Sequence, residues 1–109
     1  MTETFRQGHT HSPLEADAYV PADGATPARF IDFPAEFPGG VTARFVSGET
    51  VVTGPATGTS GGRLSYPWGA TDLDVIGVYV GYFEGVDALG KTESFPRGRN
   101  LEYEVIPTV

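Results

Sequence analysis

Val75-Ile76-Gly77-Val78-Tyr79-Val80-Gly81-Tyr82-Phe83-Glu84 is the stretch whose reading decides the fold. As a strand it places Tyr79, Gly81 and Phe83 on one face and Val78, Val80 and Tyr82 on the other. Both faces are then largely apolar, whereas a strand with one wet face alternates apolar with polar residues. The second face therefore needs cover. Either the N-terminal residues or the segment 30–37 supplies it, or a partner does, because a contiguous exposed apolar patch marks an interaction site.

Working outward, the same period of two recurs. Leu101, Tyr103 and Val105 alternate with Glu102 and Glu104, and Val41, Ala43 and Phe45 alternate with Thr42 and Arg44. Leu14, Ala16, Ala18 and Val20 alternate with Glu15, Asp17 and Tyr19. Ser12-Pro13-Leu14-Glu15 also satisfies a helix capping box with proline at the first helical position. The strand reading is preferred there because Pro21 closes the segment after seven residues. Further strands are expected over residues 29–33, 50–53, 63–66, 75–84 and 92–95. Residues 22–40 are richest in loop signals and read as irregular around one short strand, and residues 53–62 read as a mobile hairpin tip or connector.

Fifteen glycines and nine prolines divide the 109 residues so finely that no stretch free of both exceeds eight. A helix of ordinary length has no room, and one domain accounts for the whole length. Cysteine is absent, so neither disulfides nor thiolate metal sites hold the fold, and its seven Phe, five Tyr and one Trp must do so by packing. A net charge of −7, with basic residues scattered singly apart from Arg97 and Arg99, argues against nucleic acid as a partner. No apolar run is long enough to cross a bilayer, and Met1-Thr2-Glu3-Thr4-Phe5-Arg6 lacks the order of a signal peptide. Synthesis in the cytoplasm without membrane insertion is the expectation.

Tyr66-Pro67-Trp68, Asp72-Leu73-Asp74, Gly77-Val78-Tyr79, Phe83, Gly90-Lys91, Phe95-Pro96 and the strand 101–105 together resemble the immunoglobulin-like modules of tailed bacteriophages. The nearest likeness is to the N-terminal domain of the baseplate upper protein and small stand-alone proteins similar to it. Phe5-Arg6-Gln7-Gly8 and Asp23-Gly24 fall where that family has its opening strand and first turn. The resemblance implies a single all-β, immunoglobulin-like antiparallel sandwich of about seven to eight strands over residues 12–109, preceded by an extended arm, residues 1–11. It implies a non-enzymatic structural and docking role in the virion, with major capsid or tail and baseplate proteins, and copies of itself, as partners. Chain length departs from the baseplate protein, since no linker helix or receptor-binding-protein attachment region follows the last strand. That departure implies a compact surface or connector piece, and a small, acidic, self-contained chain favours capsid decoration, with a tail or baseplate adaptor as the alternative.

Individual residues are weighed within that frame. Tyr79 has the position of a tyrosine-corner residue, its hydroxyl directed at backbone near the preceding corner, with Gly81 where antibody domains carry a half-cystine. Asp72 or Asp74 would cap the same turn, while Tyr66, Trp68 and Phe83 are expected as corner and core residues. A calcium ion at Asp72 and Asp74 would need six or more oxygens, and no third carboxylate lies close in sequence. His9 and His11, followed by Glu15 and Asp17, could face one way on a strand, but a tetrahedral metal site needs a further firm ligand. No metal or other cofactor is therefore expected. Thr57-Gly58-Thr59-Ser60-Gly61-Gly62 has neither a Gly-x-Ser-x-Gly elbow nor the Gly-Lys-Ser/Thr ending of a phosphate loop. Glu102 and Glu104 read as a charged sheet face that discourages unwanted strand pairing. Partner contacts are expected at Val78, Val80 and Tyr82 and, on the arm, at Phe5 and Arg6. A glycan-binding module using Trp68 as its aromatic platform is the competing function.

Overall fold

The computed structural model describes residues 3–8, 12–20, 22, 24–97 and 99–108. Along the chain run β1 (Glu3–Arg6), β2 (Leu14–Asp17), β3 (Tyr19–Val20), β4 (Arg29–Phe30), α1 (Phe33–Glu36), β5 (Val41–Ser47) and β6 (Thr50–Gly58). β7 (Arg63–Tyr66), β8 (Gly77–Val86), β9 (Thr92–Phe95) and β10 (Leu101–Ile106) complete the order. The all-β class read from the sequence is what the chain adopts.

Hydrogen-bonded neighbours follow the order β1-β10-β8-β5-β6-β7-β2, with β9 continuing the β10 side of β8 and β3 paired with β4 as a separate ribbon. β6 makes the sandwich-like shape. Its residues 50–56 pair with β5, whereas Thr57 and Gly58 pair with β7. One strand thus serves both layers, and the sheet curls over a shared core. A Cβ on Gly58 would lie 2.4 Å from Cγ of Phe33, so the strand can bend past that ring only because no side chain intervenes. This corrects the expectation of a mobile connector over residues 53–62. The segment is ordered as strand to Gly58 because β5 and β7 take up its backbone groups in turn.

Two further expectations are corrected. Residues 3–6 are not an arm but strand β1, which lies parallel to β10 with Phe5 opposite Val105. Burial of the Phe5 ring, 7% exposed, explains why this short segment is held against the sheet. The sandwich is accordingly not wholly antiparallel. Strand 29–33 shortens to Arg29–Phe30, because Asp32 ends it as a helix N-cap. The Asp32 carboxylate accepts from the Ala35 amide at 3.3 Å, and the Asp32 amide donates to Glu36 at 2.8 Å. Pro34 stands in the first turn, where its missing amide hydrogen costs nothing. The one-turn helix turns Phe33 and Phe37 inward onto Phe95, with ring centroids 5.2 and 5.3 Å away.

The core is aromatic through its length. Tyr79 stacks on Tyr103 at 4.9 Å, Phe45 meets Tyr103 edge-on at 5.1 Å, and Trp68 bridges Tyr103, Tyr66 and Phe5 at 5.0, 5.5 and 5.0 Å. Edge-to-face contacts suit the ring quadrupoles and fix the two layers in register.

A candidate docking face

β8 alternates as its sequence requires. Tyr79, Gly81 and Phe83 are buried, while Val78 and Val80 are 45% and 37% exposed and Tyr82 is half-buried. Strand pairing then extends this outer face sideways. Val80 stands opposite Val46 of β5, and Val46 stands opposite Val51 of β6. Residues directly opposite on neighbouring strands share a face and touch. Val51, Val46, Val80 and Val78 therefore form one apolar stripe crossing three strands, and the exposed Val75 and Ile76 continue it at the entry to β8.

Polar residues border the stripe. On the β10 side Glu102 is opposite Val80 and Glu104 opposite Val78. On the other side Arg44 pairs with Tyr82, and Thr42 with Glu84. Among the described residues, neither internal cover considered from sequence lies on this face. Phe33 and Phe37 turn into the core, and β1 extends the sheet beyond β10 rather than lying over β8. Among the described residues, the stripe has no cover.

Close packing within the sheet holds the strands of this face in register. A Cβ on Gly81 would come 1.9 Å from the Arg44 carbonyl oxygen and 2.7 Å from Cα of Phe45, so β5 and β8 approach closely only with glycine there. The turn into β8 is held by Tyr79, whose hydroxyl donates to the Val75 carbonyl at 2.7 Å. Burial raises the Tyr79 pKa, which keeps that hydroxyl protonated as a donor.

Each residue singled out in the sequence has a definite place. Phe5 is a core residue and not a partner contact, because its ring packs on Trp68 and Tyr103. Arg6 is exposed, and its guanidinium donates to the Pro107 carbonyl at 3.4 Å. Tyr66 donates its hydroxyl to Asp72 at 2.5 Å, and the same carboxylate oxygen accepts from the Gly69 amide at 2.7 Å. Asp72 thus caps the turn at residues 69–72. Burial first, then the Asp72 carboxylate, raises the Tyr66 pKa. Asp74 is exposed; its main-chain carbonyl accepts from the Gln7 side-chain amide at 2.6 Å and its main-chain amide donates to the Thr71 carbonyl at 3.2 Å. Phe83 is fully buried. Trp68 is half-buried, surrounded by three rings, with its indole N–H donating to the Ser12 carbonyl at 3.0 Å. His9 and His11 lie outside the described residues.

Val46 and Val51 were missed from the sequence. Each sits in a strand whose opposite face carries core residues, so each alone looks like an ordinary surface valine. Only the register brings them beside Val80. Searches of protein-family models, curated proteins and solved structures return no significant match to this chain.

Proposed function

We propose that the protein is a non-enzymatic docking module, a structural accessory protein of a tailed-phage particle seated in multiple copies on a larger virion assembly. The observation that carries the docking role is the uncovered valine stripe on the outer face of β5, β6 and β8. An apolar band of this kind loses contact with water when a complementary surface closes over it, and that gain drives association. The virion assignment rests on the immunoglobulin-like resemblance of residues 66–105 to phage modules. The corner arrangement of Tyr79 supports that likeness.

Capsid decoration is the preferred site because the chain is small and acidic and offers one broad face. A tail or baseplate adaptor is the second reading, and it follows from the resemblance itself. Glycan attachment through Trp68 is disfavoured, since its ring is half-buried and packed against Phe5, Tyr66 and Tyr103.

Co-sedimentation of the purified protein with separated phage heads and tails tests the proposal. Saturable binding to heads supports decoration, and binding to tails supports the adaptor reading. A monomer that sediments with neither fraction overturns the virion role.

A further inference from the structure

A cleft of about 310 Å³ opens between β2, β3 and the end of β9. It is lined by Asp17, Ala18, Tyr19, Phe95, Pro96, Arg97 and Arg99. Its size reaches the lower end of the range for small-molecule sites. Two of the seven basic side chains of a chain with net charge −7 converge on it. Ion pairs surround it. Arg63 bridges Asp17 at 2.6 Å and Glu15 at 3.4 Å, and Arg97 pairs with Glu93 at 2.5 Å while its guanidinium lies over the Phe95 ring. Arg99 lines the cleft beside Arg97 and makes no ion pair among the described residues.

The rim is aromatic. Tyr19 is 58% exposed and Phe30, its partner across the β3–β4 ribbon, is 57% exposed. Their rings meet edge-on at 6.4 Å, which holds an aromatic pair in solvent beside the cationic pocket. Exposure of two large rings side by side, off the core, is a feature that folding alone does not account for.

The backbone narrows what can bind. The Ala18 amide donates to the Gly62 carbonyl, the Ala18 carbonyl accepts from the Ile31 amide, and Pro96 has no amide hydrogen. An extended peptide that binds by adding a strand would find these main-chain groups already used. Recognition falls to guanidinium groups and rings. A guanidinium fork matches the two oxygens of a carboxylate or phosphate, and an aromatic ring packs against the C–H face of a sugar ring.

We propose that this cleft binds an acidic saccharide, its carboxylate or phosphate held by Arg99 and Arg97 and its ring seated on Tyr19. This site is separate from the valine stripe and does not depend on the docking role.

Amide-resolved NMR titration of the intact protein tests it, using a hexuronate tetrasaccharide, a hexose phosphate, the neutral tetrasaccharide, sodium acetate and inorganic phosphate as separate probes. The expected result is saturable shifts around Tyr19, Phe95 and Arg99 at roughly millimolar ligand. They should appear with one or both acidic sugars, weaken as sodium chloride is raised, and be absent with the neutral sugar. The acidic sugar that binds identifies the anionic group. Arg99→Gln and Tyr19→Ala should each weaken binding by about tenfold or more without moving the thermal midpoint, because both side chains are exposed. Equal binding of the neutral sugar overturns the proposal. So do the same shifts with acetate or phosphate alone, unchanged affinity in Arg99→Gln, or no saturable shifts with either acidic sugar.

Discussion

The Tyr79 hydroxyl donates to the main-chain carbonyl of Val75 at 2.7 Å, which ties a fully buried residue of β8 to the loop that delivers the strand. Because the Tyr79 ring also stacks on Tyr103, this one bond sets where β8 enters the sheet and so where Val78 and Val80 emerge. Tyr79→Phe keeps the stack and removes the bond. We expect a loss of about 1–2 kcal/mol and a fall in Tm of roughly 5–10 °C. An unchanged melting curve would show that the corner bond does not organise the strand.

Tyr103 makes the opposite prediction. Its hydroxyl is buried without a hydrogen-bond partner among the described residues, while its ring is at the centre of the aromatic core. Burial, first among several causes, raises its pKa, so the group is neutral but still desolvated. Tyr103→Phe removes a polar atom that gains nothing from folding and should be neutral or stabilising by about 1 kcal/mol. Chemical denaturation comparing the two tyrosine variants checks the contrast directly.

Gly81→Ala should be the most damaging single-methyl change. The new Cβ would meet the backbone of β5 at 1.9 Å, and backbone cannot rotate away as a side chain could. We expect a loss of about 3 kcal/mol, seen as reduced soluble yield and a lowered urea midpoint. Full stability would mean that β5 and β8 separate more easily than their pairing suggests.

Acid should act through Glu36. Its hydrogen bond from Arg29, before any other cause, lowers its pKa from 4.5 to about 2. A carboxyl whose folded pKa is depressed contributes stability that is complete above the unfolded value and lost as pH falls through the folded one. The contribution of Glu36 is therefore present above about pH 4.5 and disappears towards pH 2. The pair is largely solvated, so the effect is small. In urea titrations Glu36→Gln should be the less stable protein near neutrality and should converge with the wild type as pH drops through that window.

The docking stripe is tested by Val78→Thr combined with Val80→Thr. Threonine keeps the branched shape and the strand preference, so stability should change by less than about 1 kcal/mol. Two hydroxyls in the middle of a dry interface should weaken docking on particles by about tenfold or more, read by co-sedimentation. Undiminished docking with the fold intact would move the interface elsewhere.

The alternation of apolar and polar residues was sufficient to read β2, β5, β7, β8, β9 and β10 from the chain. It also placed Tyr79, Phe83 and Tyr103 in the core, because period-two patterning is a local property and each strand carries its own. Phe5 was misplaced for the same reason. One aromatic between Thr4 and Arg6 is too short a pattern to tell a loose arm from a strand, and pairing with β10 decided it.

By itself the sequence determined an all-β chain without cysteine, strands with one buried face, and an outer side of β8 that is more apolar than water tolerates well. Tertiary structure alone decided that Val46 and Val51 join Val80, that β6 serves both layers, and that Arg99 and Tyr19 line one cleft. These are relations between residues far apart in the chain, set by strand register and by the volume of rings packed between layers. No local pattern encodes them, because each depends on which strand lies next to which.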